Sequence, residues 1–239
     1  MVILLRKRDV LLTVFFCCFF AGLSAVLWKG TALPAFSPAG EEPVIVIVDP
    51  GHGGEDGGAV SAGGVKESQL NLEISLRLND LLHFAGQRTV MTRMEDISIC
   101  DEGLNTIRQR KVSDLKNRVA LVNEQTPAVL LSIHQNSLPS SPATHGAQAF
   151  YNKQDGAEAL AESIQDALNA AANTGNGKRA GKIPDSIYLM KNITAPGILV
   201  ECGFLSNSAE TGQLQDPAYQ LRLASAIAAG YLRGASESG

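Results

Sequence analysis

Residues 44–54 read VIVIVDPGHGG and carry the clearest indication of the fold. The run from Val44 to Val48 is unbroken and entirely β-branched. Such a run is typical of a strand that is buried on both faces, as in the parallel sheets of α/β proteins. A Gly-rich loop follows and continues to Gly64. The stretch therefore predicts a buried strand whose carboxyl end leads into a loop with polar side chains.

The remainder of the body alternates between candidate strands and candidate helices. Short apolar runs predict strands, whereas longer segments with a helical apolar face or a capping residue predict helices. The predicted strands are 88–92, 128–133, 146–151, 187–190 and 197–200, and the predicted helices are 67–85, 113–125, 155–172 and 217–233. Residues 94–112 are predicted to be irregular. This alternation indicates an α/β fold, in which ligands bind beyond the carboxyl ends of the strands.

The N-terminus has the composition of a membrane segment. Residues 10–28 contain no charged side chain and would span about 28 Å as a helix, close to one bilayer core. The basic residues within 1–9 predict that this end stays in the cytoplasm and that the body lies outside. We expect an uncleaved anchor at 10–28, with a cleaved signal peptide and a buried helix as alternatives. Residues 29–43 predict a linker, 44–234 a folded domain and 235–239 a tail.

The composition excludes several functional classes. Of 239 residues, 45% are hydrophobic and 18% are charged, which suffices for a core and argues against global disorder. Because the net charge is −4 and only 5% of residues are aromatic, we expect no nucleic-acid partner. Four cysteines are too few for a disulfide scaffold, and the spacing of Cys100 and Cys202 in the body does not decide whether they pair.

Side chains that suit metal chemistry follow three of the predicted strands. His52 follows the first strand, His134 follows 128–133, and Glu201 follows 197–200. Glu67 begins the helix after the Gly-rich loop and is expected near the same rim. Two imidazoles and a carboxylate with an open fourth position make a catalytic zinc site, and a second carboxylate that is not a ligand can transfer protons. These four residues supply that set.

Other interpretations of the same residues stay open at this point. A buried histidine at a strand end is structural more often than it is a metal ligand. The Gly-rich stretch 52–64 is also compatible with a phosphate cradle, although it lacks both common phosphate-binding glycine patterns. The residues alone therefore leave a metal site as one hypothesis among several.

Six strings in the body give a more specific signal. They are VDPGHGGEDGGAV (48–60), KE (66–67), TRMED (92–96), NRVALVN (117–123), LSIHQNS (131–137) and LVECGFLSN (199–207). In this order they resemble the zinc-dependent N-acetylmuramoyl-L-alanine amidases of bacterial cell walls, the type 3 amidases. The segments IRQRKVSDLKNR (107–118) and GAQAFY (146–151) resemble the germination-specific, spore-cortex branch of that family.

This resemblance implies a fold, a site and a reaction. It implies that 44–234 is one catalytic domain with a twisted, mixed and mostly parallel sheet flanked by helices. His52, Glu67 and His134 are implied as ligands of one Zn²⁺ ion, and Glu201 as the catalytic carboxylate. The implied substrate is peptidoglycan, hydrolysed at the amide between the lactyl group of N-acetylmuramic acid and L-alanine. In the spore branch the trimmed muramic acid is then converted to muramic δ-lactam.

Three further residues are expected to support this site. Asn136 is expected to hydrogen-bond the substrate or orient a ligand, with a purely structural role as the alternative. Asp49 is expected to fix the loop that carries His52 or to support a ligand. Arg179 belongs to a small basic cluster that is either a solvated loop or a contact for stem-peptide carboxylates.

Two rival functions accompany the amidase hypothesis. A non-catalytic wall-binding domain with a structural metal predicts a closed four-ligand site, and a zinc peptidase would cut between amino acids and leave the lactyl amide intact. The sequence contains no evident wall-binding repeat, so we expect control by expression timing, by substrate form or by an accessory protein. The expected location is outside the cytoplasmic membrane, between forespore and mother cell or in the cortex, with membrane contact through residues 10–28.

Overall fold

A computed structural model describes residues 43–237. The strands are β1 (Ile45–Pro50), β2 (Arg88–Met91), β3 (Ala128–Asn136), β4 (Gln148–Tyr151), β5 (Gly181–Lys182) and β6 (Gly197–Phe204). The helices are α1 (Glu67–Phe84), α2 (Ile107–Glu124), α3 (Ala157–Ala171), α4 (Tyr188–Asn192), α5 (Ser208–Leu214) and α6 (Pro217–Glu237). Within 43–237 there is no helix of the length and apolar character needed to cross a membrane. The predicted anchor at 10–28 lies outside the described residues and stays a prediction.

The strands form one mixed sheet in the order β2-β1-β3-β6-β4-β5. Strands β2, β1, β3 and β6 pair in parallel, β4 is antiparallel to β6, and β5 is parallel to β4. The prediction of an α/β fold with a mixed, mostly parallel sheet is therefore confirmed. Because β1, β3 and β6 run in the same direction, their carboxyl ends meet at one edge of the sheet.

Alternate side chains of the central strands enter two separate cores. Val48 and Leu131 belong to a large cluster that also contains residues of α1, α3 and α6. Ile47 and Leu130 belong to a smaller cluster that contains residues of α2 and α4. Since successive side chains of a strand point to opposite faces, these clusters lie on the two sides of the sheet. Burial on both sides explains why β1 is apolar at every position from Val46 to Val48, all of which are fully buried.

Two predictions of secondary structure are wrong. Helix α2 begins at Ile107 rather than near 113, because Thr106 and Gln109 form a capping box that starts the helix earlier. Residues 187–190, predicted to be a strand, lead into and form most of helix α4. There the amide of Lys191 donates to the carbonyl of Ile187, a helical hydrogen bond. A short apolar run does not distinguish a buried strand from a buried helical turn.

Candidate active site and metal centre

A cavity of about 490 Å³ opens at the carboxyl edge of the sheet, between the ends of β1, β3 and β6 on one side and helices α2 and α4 on the other. The four predicted site residues all line it: His52, Glu67, His134 and Glu201. Strands β3 and β6 extend further than predicted, so that His134 and Glu201 are directly paired neighbours within the sheet. Their side chains therefore share the face that carries the smaller core.

His52 lies in the loop after β1 and has a φ of 61°, in the left-handed region that residues other than glycine seldom occupy. Its Nδ1 donates to Asp56 Oδ2 at 2.9 Å, and Lys111 Nζ lies 2.8 Å from the other oxygen of Asp56. Its Nε2 lies 3.3 Å from Glu67 Oε1. Burial lowers the pKa of His52, but the hydrogen bonds to Asp56 and Glu67 outweigh it and raise the pKa to about 9.

Glu67 is the first residue of α1 and is buried. Its Oε2 accepts a hydrogen bond from the amide of Ala59 at 2.8 Å. Its Oε1 accepts from the amide of Gln135 at 3.1 Å and from Asn71 Nδ2 at 3.3 Å. Burial alone would raise the pKa of Glu67, yet the hydrogen bonds and charges of the two histidines hold it well below its usual range. The carboxylate is therefore ionised and fixed in orientation from three sides.

His134 completes the group from strand β3. Its Nδ1 lies 2.9 Å from Glu67 Oε1, and its ring centroid is 5.1 Å from that of His52. The ring lies directly over Gly51, where a Cβ atom would be 2.2 Å from the imidazole. A side chain at position 51 would thus displace the ring, which explains the glycine before His52.

The donor atoms of His52, Glu67 and His134 fit a zinc ion in both kind and spacing. They lie within 4.8 Å of one another. A tetrahedral zinc ion with bonds of about 2.0–2.1 Å separates its ligand atoms by about 3.3 Å, close to the 3.3 Å and 2.9 Å found between the imidazoles and Glu67. Two imidazoles and one carboxylate are also a donor set of catalytic zinc sites, which leave a fourth position open.

Glu201 lies beside this group without belonging to it. Its Oε2 is buried and has no hydrogen-bond partner among residues 43–237. Burial raises the pKa of Glu201 to about 7, and the negative charge of Glu67 adds to the effect while His134 opposes it. A carboxyl group of this kind can exchange a proton near neutral pH. Its position and its free oxygen set it apart from the three clustered donors.

Two buried arginines hold the loop that carries His52. Arg118 of α2 pairs with Asp49 at the end of β1 and donates to the carbonyl of His52 at 2.7 Å. Arg93 donates to the carbonyls of Pro50 and Gly51, each at 3.0 Å. Asp49 also accepts hydrogen bonds from Thr92 and Ser132. Asp49 thus anchors the loop from beneath and does not contact the three clustered donors.

The remaining predicted residues lie away from the cluster. The side chain of Asn136 accepts a hydrogen bond from the amide of Ser137, and Asn136 does not line the cavity. Arg179 is exposed on the loop before β5, and its carbonyl accepts a hydrogen bond from Gln148 Nε2. Cys100 and Cys202 are free thiols, and Cys202 points into the large core, away from the cavity.

The structure adds residues that sequence reasoning missed. Asp56 orients His52, Lys111 holds Asp56, and Asn71 supports Glu67. Asp56 stands within the string that already indicated the family, four residues after His52. Asn71 stands one helical turn after Glu67, so both have a local signal. Lys111 has none, because its contact depends on how α2 packs against the loop.

Comparisons with known proteins establish the family of the chain. The model of the N-acetylmuramoyl-L-alanine amidase family matches residues 46–233. A germination-specific N-acetylmuramoyl-L-alanine amidase of Bacillus subtilis is 42% identical over 213 residues, which are 89% of this chain and 86% of that protein. The N-acetylmuramoyl-L-alanine amidase LytC of the same organism is 31% identical, covering 78% of this chain and 35% of that protein.

A solved structure shows the same fold. The CwlD amidase of Clostridioides difficile, determined in complex with the GerS lipoprotein, superposes with a TM-score of 0.78 at 34% identity, covering 81% of this chain and 99% of that chain. The predicted resemblance is confirmed by both kinds of comparison. The chain therefore belongs to the N-acetylmuramoyl-L-alanine amidase family.

Proposed function

We propose that this amidase is zinc-dependent and hydrolyses the amide between the lactyl group of N-acetylmuramic acid and L-alanine in spore-cortex peptidoglycan. The observation that carries the proposal is the group of three donor atoms within 4.8 Å, next to a buried carboxylate oxygen that has no hydrogen-bond partner in the described part of the chain. The first feature suits one metal ion and the second suits proton transfer. A binding domain would need neither an open coordination position nor a free carboxylate.

In this proposal His52, Glu67 and His134 hold one zinc ion. When bound, zinc supplies a Lewis acid that polarises a carbonyl oxygen and lowers the pKa of water. The chain's own contribution is to fix the three donors before the ion arrives. Asp56 fixes the tautomer of His52 by accepting a hydrogen bond from its Nδ1–H group. Amide and side-chain donors fix both oxygens of Glu67.

Glu201 carries the proton transfer. Its free Oε2 accepts a proton from the attacking water as the water oxygen bonds to the lactyl carbonyl carbon. The same oxygen returns the proton to the alanine nitrogen as the carbon–nitrogen bond breaks. The products are a lactyl carboxylate and a peptide with a free N-terminal alanine. In the metal-free site burial raises the pKa of Glu201, which favours holding the proton between these two steps.

The spore-cortex assignment is supported by the 42% identity to the germination-specific amidase of Bacillus subtilis. The freed lactyl carboxylate is the group that must react with a muramic acid amine when a δ-lactam closes. We therefore place this hydrolysis before the deacetylation and ring closure that yield muramic δ-lactam. The enzyme acts outside the cytoplasmic membrane, where this substrate lies, and residues 10–28 attach it to the membrane.

An accessory protein is also part of the proposal. A relative was solved in complex with a lipoprotein, and a partner of that kind would supply control of activity from outside the domain. Like the membrane attachment, this partner is inferred for the present chain.

The test is hydrolysis of purified cortex and vegetative peptidoglycan by the full chain loaded with zinc. Mass spectrometry identifies the bonds that are cut. The proposal predicts glycans with free lactyl carboxylates and peptides with N-terminal alanine, both absent with Glu201→Ala. Peptides cut between amino acids would instead indicate a peptidase. Zinc binding with no cleavage of either wall, with or without an accessory lipoprotein, would indicate a binding domain.

A further inference from the structure

Helix α4 forms one wall of the cavity, and two of its side chains are buried in the core of the protein. Leu189 and Met190 are 5% and 1% exposed and belong to the smaller core. The two residues before them remain open, since Ile187 is 38% exposed and Tyr188 is 42% exposed. Both line the cavity. Two large side chains, one aliphatic and one aromatic, therefore face solvent at its rim, while Leu189 and Met190 hold the helix against the core.

This wall is held in place by hydrogen bonds. Asn192 Nδ2 donates to the carbonyl of Tyr188 at 2.7 Å. At the far end of the helix, Asn123 of α2 accepts from the amide of Thr194 at 2.9 Å and donates to the carbonyl of Asn192 at 3.2 Å. These contacts hold the backbone of the rim in place, so its ordering adds little to the entropy lost on ligand binding.

The opposite wall of the cavity has a different chemistry. It is formed by α2, which presents Lys111, Asp114 and Leu115 to the cavity. Lys111 is half-exposed next to the loop that carries His52. The cavity therefore has a charged rim on the α2 side and an apolar, aromatic rim on the α4 side, with the clustered donors and Glu201 between them.

The substrate implied by the proposed function has a matching asymmetry. On one side of the scissile amide is a pyranose ring, whose C–H faces are apolar and uncharged. On the other side is a peptide that carries carboxylates. We propose that Tyr188 and Ile187 form the subsite for the muramoyl sugar, with the ring of Tyr188 against a face of the pyranose, and that the peptide leaves past α2. This inference rests on the proposed function, because it assigns the sugar and the peptide of that substrate to opposite walls of the cavity.

Two substrates that share the scissile bond separate this role from a structural one. One is a muropeptide that carries N-acetylglucosamine and N-acetylmuramic acid. The other is the same peptide acylated with lactic acid alone, so that the amide remains and the sugar is absent. Removing a half-buried aromatic contact in Tyr188→Ala is expected to lower kcat/KM about tenfold for the muropeptide and to leave the lactoyl peptide unchanged.

Matched variants complete the experiment. Tyr188→Phe keeps the aromatic face and is expected to retain wild-type kcat/KM on both substrates. Phe84→Ala removes an aromatic side chain that is 93% exposed and does not line the cavity, and it is expected to have no effect. Equal zinc content and equal melting temperatures for Tyr188→Ala and wild type exclude a folding defect.

Several outcomes would overturn the subsite. They are an equal loss on both substrates, no loss on either, or failure of Tyr188→Phe to restore activity. If wild type cleaves neither of these small substrates, hydrolysis of whole peptidoglycan decides the proposed function, and the subsite is judged separately by binding. In that case titration calorimetry of Glu201→Gln with a peptide-free tetrasaccharide of the same sugars must show binding that Tyr188→Ala abolishes. Absence of binding would reject the subsite.

Discussion

The unfavourable backbone of His52 is balanced by contacts on both of its sides. A left-handed conformation of a residue other than glycine costs about 1–3 kcal/mol. In return, the carbonyl of His52 is held by Arg118 and its imidazole by Asp56. These two contacts maintain the unfavourable backbone conformation and so keep Nε2 next to Glu67. A relaxed loop would leave the imidazole to be ordered by the metal ion itself.

The contact between Asp56 and His52 predicts an effect on metal affinity. Asp56→Asn removes the charge that fixes the tautomer of His52, so we expect zinc affinity to fall about 10–100-fold. Lys111→Met removes only the partner of Asp56 and is expected to have a smaller effect. Competition with a chromophoric chelator measures both dissociation constants.

A neighbouring carboxylate provides the control for this prediction. Glu55 lies in the same loop as Asp56 and pairs with Arg110 of α2. It is 61% exposed and does not contact His52. Glu55→Gln is expected to keep the wild-type zinc affinity. A loss as large as that of Asp56→Asn would show that the whole loop, rather than the tautomer of His52, determines affinity.

At the residue scale, the four central positions could be predicted from sequence because each belongs to a string typical of the family. Glu201 and His134 also follow from the rule that sites lie at the carboxyl ends of parallel strands. Lys111 and Tyr188 could not be predicted in this way. Their roles depend on how α2 and α4 pack beside the sheet, and nothing in the local sequence marks that packing.

Helix α2 acts as a brace for the loop between β1 and α1. Arg110, Lys111 and Arg118 of this helix contact Glu55, Asp56 and Asp49 of the loop and the strand end before it. Arg110 and Lys111 are adjacent, and Arg118 follows Lys111 by seven residues, about two helical turns, so the helix holds both the loop and the strand end before it. The stability of this brace is therefore coupled to the geometry of His52.

The buried pair of Arg118 and Asp49 predicts a pH-dependent stability. Burial would raise the pKa of Asp49, but Arg118, with hydrogen bonds from Ser132 and Thr92, holds it below its ordinary value. Its stabilising effect is therefore complete above the unfolded pKa of about 4 and is lost as the pH falls through the lower folded pKa. Asp49→Asn is expected to destabilise the metal-free protein by about 3–5 kcal/mol at pH 7.

Urea unfolding in the presence of a chelator measures this effect. The difference in unfolding free energy between wild type and Asp49→Asn should shrink as the pH is lowered from 7 to 3. Asp80→Asn, at an exposed position of α1, serves as the control and should stay within about 0.5 kcal/mol of wild type. A difference for Asp49→Asn that does not change with pH would contradict the ionised pair.

Helices α3 and α6 pack closely because residue 230 of α6 is a glycine, which has no side chain. A Cβ atom on Gly230 would lie 2.5 Å from the Cα atom of Ile164, and Ser163 Oγ donates to the Gly230 carbonyl at 2.7 Å. Because backbone cannot yield easily, Gly230→Ala is expected to destabilise the fold by about 1–3 kcal/mol.

The matched variant is Gly212→Ala in α5, where no atom lies within 4 Å of the new methyl group. Alanine is the better helix former, so this change is expected to stabilise the fold by up to about 1 kcal/mol. Thermal unfolding of both variants tests the pair. Equal shifts of the melting temperature would show that close packing at Gly230 is unimportant.

At the element scale, strands with continuous β-branched runs and helices with clear ends could be predicted. The early start of α2 could not, because residues 107–112 are mostly polar and show no apolar face, although the capping box at Thr106 was a usable signal. The apolar run 187–190 fits a strand and a helix equally well. The helix is favoured because it packs Leu189 and Met190 into the smaller core, a contact that the local sequence does not indicate.

For the whole molecule, the parallel strands determine where the chemistry lies. Three strand ends and the start of α1 meet at one edge, which brings together cavity side chains that are up to 149 positions apart in sequence, from His52 to Glu201. The topological rule for α/β sheets predicted this edge. The cavity beside this edge could not be predicted from the sequence. One of its walls is α2, whose start was predicted too late, and the other is α4, which was predicted to be a strand.

The measurement that tests the central claim most directly is zinc content and peptidoglycan hydrolysis on the same samples of three full-length proteins. We predict about one zinc ion and full activity for wild type, the same zinc content with activity at least about 100-fold lower for Glu201→Gln, and loss of both for His134→Ala. Wild-type activity in Glu201→Gln, or retained zinc and activity in His134→Ala, would contradict the account.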